Sequence, residues 1–149
     1  MSLSRLLFDQ HQRLDELLEL LAKEQQLLTQ GDIDGEALAT LAETKQTVLG
    51  ALERMETLRR TTQNRLGYDD DANGAFKAAS DAGCQENWER FLDKSERAGR
   101  MNALTGQMLS VRMKHNQDML NYIQQIAEKT LYQPNGRNQA QSSRLNTSA

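Results

Sequence analysis

Leucines near the N-terminus recur at spacings that alternate between three and four. Leu3, Leu7, Leu14, Leu17, Leu21 and Leu28 share one heptad seam, broken only by Gln10 and Glu24 and widened by Leu6 and Leu18. A stripe of that width predicts a long amphipathic helix with one face turned to a core. Gln30-Gly31-Asp32 sets a left-handed cap residue beside a good N-cap, so the helix is expected to stop at Gly31. Asp32 or Asp34 then caps the next.

The second periodic stretch places Leu38, Leu41, Val48, Leu52 and Met55 on one face, continues through Leu58 and Leu66, and ends at Gly67. Its short connection to the first predicts an antiparallel hairpin. Between Gly67 and about Gln85 the text changes to an acidic loop and a short Ala-rich helix around Phe76 to Ala82. A third long helix is expected from about Asn87 to Leu131, roughly 45 residues or about 65 Å at the α-helical rise.

That last helix carries two apolar stripes. Met101, Leu104, Met108, Val111, Met119, Tyr122 and Ile126 form one, and Leu109, Met113, Leu120, Ile123 and Ala127 the other. Together they cover about half of the cylinder, which suits either a well-buried bundle helix or an exposed groove for a partner helix. Methionine is unbranched and adaptable, and Met-rich surface recurs where one site accepts several helical partners, so the first stripe is the candidate groove. Ser95, Gly99, Asn102 and Gly106 also share a seam, which predicts close backbone approach or, failing that, a bendable segment.

The fold expected is therefore all-α: an elongated antiparallel three-helix bundle or coiled coil with a short extra helix. Residues 1–132 read as the bundle domain. Residues 133–149 hold Pro134, the sole proline, among Gln, Asn and Ser, and cannot bury enough apolar surface to offset their ordering entropy. They are expected to be a flexible polar tail, held if at all by a neighbouring copy or a homo-oligomer partner.

Composition narrows the function classes. A net charge of −3, becoming −5 without the two arginines of the tail, offers no positive field for a phosphate backbone and argues against nucleic acid. The N-terminal stretch from Met1 to Asp9 breaks into charge too soon for the apolar region of a secretion signal, and nowhere do about 18 apolar residues run together. A cytoplasmic protein with no stable membrane insertion is expected. The single cysteine, Cys84, forms no internal disulfide and reads as a small semi-buried residue.

Chemistry-bearing patterns are sparse. His11 and His115 lack the Glu-x-x-His spacing of helical metal sites, and no phosphate-binding loop or nucleophile elbow occurs. Asp69-x-Asp71-x-Asn73-Gly74 matches the first half of a calcium loop, but position twelve, which must give a bidentate carboxylate, is Ser80. An acidic turn between helices is the expected reading. No enzyme activity and no cofactor or metal follow from these residues, which leaves protein binding or homo-oligomeric coiled-coil scaffolding.

The chain resembles the FlgN family of flagellar export chaperones across most of its length. The more specific residues are Gly31-Asp32 followed by Leu38, Leu41, Lys45, Leu49 and Leu52, then Arg59 and Gly67, then Asn102, Gly106, Leu109 and Arg112. Leu131-Tyr132-Gln133-Pro134-Asn135-Gly136 is similar to the family's Leu-Tyr-Gly-Pro-Asp-Gly signature, with Gln133 and Asn135 as departures. The resemblance implies a cytoplasmic chaperone that binds C-terminal helical segments of the hook-filament junction proteins FlgK and FlgL. It also implies delivery to the flagellar type III export gate, whose FlhA subunit is a docking partner, with Tyr132 as the gate-docking residue.

Overall fold

A computed structural model describes residues 2–131, with side chains through Glu128. Tyr132, the tail, and whatever would hold the tail lie outside the described residues. Four helices follow in order: α1 (Leu3–Leu28), α2 (Gly35–Arg65), α3 (Ala72–Asp81) and α4 (Gln85–Leu131). No strand occurs among the described residues, and the fold is all-α as the periodicity predicts. The chain divides into two units, the first ending at Gly106 and the second beginning at Gln107.

Local chemistry sets the helix boundaries. Ser2 Oγ accepts the Arg5 amide at 3.3 Å and starts α1. The helix ends at Leu28, earlier than the expected stop at Gly31, because the Thr29 amide already satisfies the carbonyls of Gln25 and Gln26 without a left-handed residue. Left-handed backbone occurs instead at Gly67 (φ 89°) and Gly83 (φ 73°), just past α2 and α3. Asp34, not Asp32, caps α2 by accepting the Ala37 amide at 3.0 Å.

The acidic turn is shorter than expected. Asp71 Oδ1 accepts the Gly74 amide at 2.7 Å, so α3 starts at Ala72 and absorbs residues that read as loop. Only glycine fits at position 74, since a Cβ there would sit 1.9 Å from the Asp69 carbonyl oxygen. The start of α4 is fixed by the Trp88 amide donating to the Cys84 carbonyl at 2.9 Å.

In the first unit α1, α2 and the opening turns of α4 form an up-down-up bundle, with α3 closing one end. Gln10 meets Glu56 and Lys45 meets Glu24, which makes α1 and α2 antiparallel; His11 meets Asn87 and Gln25 meets Met101, which makes α4 parallel to α1. Every leucine of the α1 seam is buried, and Gln10 and Glu24 are buried with them. Val48, Ala75, Ala78, Ala79, Trp88, Phe91 and Ala98 complete the core. Each fully buried leucine contributes about 1.5–3 kcal/mol relative to exposure.

The seam of small residues does not bring backbones together. A Cβ added at Gly99 or Gly106 would meet nothing within 4 Å. Ser95, Ala98, Gly99 and Asn102 instead border a hollow of about 260 Å³ against Leu14, Leu17, Leu21 and Leu49. The small residues leave that gap unfilled.

Candidate protein-binding site

The second unit presents the stripe that the sequence singles out. Of that stripe, Met108 is half-buried, and Val111 (66% exposed), Met119, Tyr122 and Ile126 are open to solvent. Met101 and Leu104 belong to the first unit, where Met101 packs against the core and Leu104 is exposed. The neighbouring stripe is open as well, with Leu109, Met113, Leu120 and Ile123 exposed. No described side chain of the second unit is buried. Apolar side chains at these spacings along one helix match the register by which a second amphipathic helix docks.

The first unit contains a cleft that sequence reasoning missed. Its volume is about 640 Å³, and Leu49, Leu52, Trp88, Phe91 and Leu92 line its apolar wall. A polar network runs along the other side. Arg59 donates to both Glu56 oxygens, at 2.9 and 2.6 Å, and to Gln63 Oε1 at 2.6 Å. Its guanidinium lies 4.8 Å from the Trp88 ring centroid, and Trp88 stacks on Phe91. Gln63 Nε2 reaches the Asp69 carbonyl at 2.5 Å, so the network ties α2 to the turn before α3.

Electrostatics follow from that geometry. Burial would raise the Glu56 carboxyl, but hydrogen bonds from Arg59 and Gln10 and the charges of Arg59 and Arg60 outweigh it and hold it below the usual value. The Asp70 carboxyl is lowered by its hydrogen bond and ion pair with Arg60, at 3.0 Å. The Tyr68 hydroxyl is raised, chiefly by its hydrogen bond to Asp81. With Asp71 capping α3 and Asp70 paired to Arg60, two of the three carboxylates of the acidic turn are used internally. Among the described residues no group of three His, Cys, Asp or Glu side chains is arranged to hold a metal.

His11 is a connector between helices. Lys94 Nζ, which can only donate, meets His11 Nε2 at 2.9 Å, so Nδ1 carries the proton and donates to Asn87 Oδ1 at 2.6 Å. Lys94 also pairs with Asp15 at 2.8 Å. Cys84 is half-buried against the core. No described helix is long and apolar enough to cross a membrane.

A family profile described as FlgN protein matches residues 1–140. The chain belongs to the FlgN family. Among curated relatives, "Flagella synthesis protein FlgN" of Escherichia coli K12 is 28% identical over 123 residues, covering 83% of this chain and 80% of the relative. The protein of the same name in Salmonella typhimurium LT2 is 29% identical with the same coverage. That of Proteus mirabilis is 30% identical over 133 residues, covering 89% of this chain and 86% of the relative. No solved structure matches the chain. Several of the residues that carry the FlgN resemblance have structural work here. Lys45 bridges Glu24 of α1 and Asn102 of α4, at 3.0 and 3.2 Å, and Arg59 anchors the polar side of the cleft.

Proposed function

We propose that this FlgN-family chain is a cytoplasmic flagellar export chaperone. It holds the C-terminal helical segments of the junction proteins FlgK and FlgL on the α4 stripe and presents them to the export gate through FlhA, with Tyr132 as the docking residue. Its work is binding, without a catalytic step. The observation that carries this reading is the exposure of Val111, Met119 and Tyr122 on one face of a helix in a unit none of whose described side chains is buried. Such surface is costly in water, and a client helix that covers it is itself masked from aggregation.

Replacing Met108, Val111 and Met119 together with Ser tests the site. The variant is expected to lose co-purification of FlgK and FlgL while its helical circular dichroism stays unchanged. Undiminished co-purification would put the client elsewhere. The second open stripe, Leu109, Met113, Leu120 and Ile123, also supports a homo-oligomeric coiled-coil adaptor. Light scattering separates the two, because the chaperone reading tolerates a monomer and an obligate adaptor does not.

A further inference from the structure

The cleft of the first unit has features that a merely imperfect core would lack. Gln10 is 2% exposed and lines it. Its Nε2 donates to Glu56 at 2.9 Å, yet its Oε1 is buried without a donor. Flipping the amide does not help, because that would turn the oxygen onto the Glu56 carboxylate. A buried acceptor without a donor costs about 1–3 kcal/mol, which a ligand N–H would recover.

The charges around the cleft are unevenly matched. Arg59 is taken by Glu56, Arg60 by Asp70, and Asp71 by the start of α3. Glu53, on the exposed rim, has no partner for its carboxylate among the described residues. An occupant is thus favoured that brings an apolar side chain for Leu52, Phe91 and the exposed Leu92, a donor for Gln10 and a positive charge for Glu53.

We propose that this cleft is a second polypeptide-binding site, separate from the α4 stripe, which takes a segment carrying a bulky apolar anchor with a lysine or arginine beside it. A trough open along one side between helices suits a chain segment, whereas a small ligand requires fuller enclosure. The acidic rim and the net charge of −3 exclude a nucleic acid strand. The proposal does not depend on what the α4 stripe holds.

Trp88 is the only tryptophan and reports on the cleft directly. The full chain is titrated with a helix-forming alanine-leucine peptide bearing one lysine beside its leucines, and with the same peptide bearing glutamate there. The lysine peptide is expected to shift Trp88 emission saturably and to bind roughly fivefold more tightly, the scale of one partly exposed ion pair. Glu53→Lys should reverse that preference, Glu53→Gln should abolish it, and Leu92→Asp should remove binding with circular dichroism unchanged. The proposal is overturned if neither peptide moves Trp88, if Glu53→Lys leaves the preference as it was, or if spermidine alone gives the full response. Loss of the Trp88 response in the Met108, Val111, Met119 triple-serine variant would assign binding to α4 and also overturn it. Retention there, whatever becomes of FlgK and FlgL, supports it.

Discussion

The two units use the same kinds of apolar residue to opposite ends. In the first, leucines of α1 disappear into a core tied across by Glu24–Lys45–Asn102 and by His11–Lys94–Asp15. In the second, leucines, methionines and isoleucines at equally regular spacing remain open to solvent, Met113 at 64%. Periodicity alone therefore does not distinguish a helix face that makes the fold from one kept for another molecule. The distinction comes from what lies opposite: buried stripes face another helix that carries matching polar ties, and open stripes face solvent.

The strongest way to break the contrast is to make one substitution in both places. Leu21 is 0% exposed, and Leu21→Ala should cost about 2–5 kcal/mol, read as a lower urea midpoint. Leu120, 45% exposed, should change stability by no more than about 0.5 kcal/mol when made Ala. Equal losses at the two positions would mean that the second stripe is packed in solution, as in a homo-oligomer, and would remove the surface assigned to a client.

The sequence showed the first of these regions better than the second, and both better than the cleft. The α1 seam was legible down to its two polar members, because a strict heptad run leaves little choice of face. For α2 the same reasoning went partly astray. Of its expected face only Val48 is buried, Leu38, Leu41, Leu52 and Met55 are half-buried, and Leu58 and Leu66 are exposed, while Arg59 and Gln63 are buried instead. Hydropathy assigns such residues to the surface. It does not register that Glu56, Arg59 and Gln63, at helical spacings of three and four, satisfy one another. That acid-Arg-Gln spacing, together with a lone Trp88 able to stack under the arginine, was the available signal for the cleft. The α4 stripe was legible as a stripe; whether it would be covered was not, since one chain's pattern carries no information about a partner.

A smaller effect sharpens the role of the polar network. The Glu56 carboxyl lies below its ordinary value of 4.5 in the folded protein. It therefore adds stability that is fully present above pH 4.5 and is lost as pH falls through the lowered folded value. Glu56→Gln should flatten that part of the acid-unfolding curve. At neutral pH it should cost only about 1 kcal/mol, because the side chain is 42% exposed and water screens the pair. An unchanged acid limb would mean that the Arg59 clamp is open in solution, and with it the polar side of the cleft.

The smallest effect tests whether even the packed unit is packed throughout. Gly99 is inside a helix, borders the 260 Å³ hollow, and has room for a methyl group. Gly99→Ala removes backbone freedom from the unfolded chain and covers a little of the hollow, so it should stabilise by roughly 0.5–1 kcal/mol, with the urea midpoint rising at an unchanged slope. Were the small-residue seam a site of close helix approach, the same methyl would collide and the midpoint would fall. The sign of that shift, more than its size, separates a gap kept open between helices from a contact that only glycine permits.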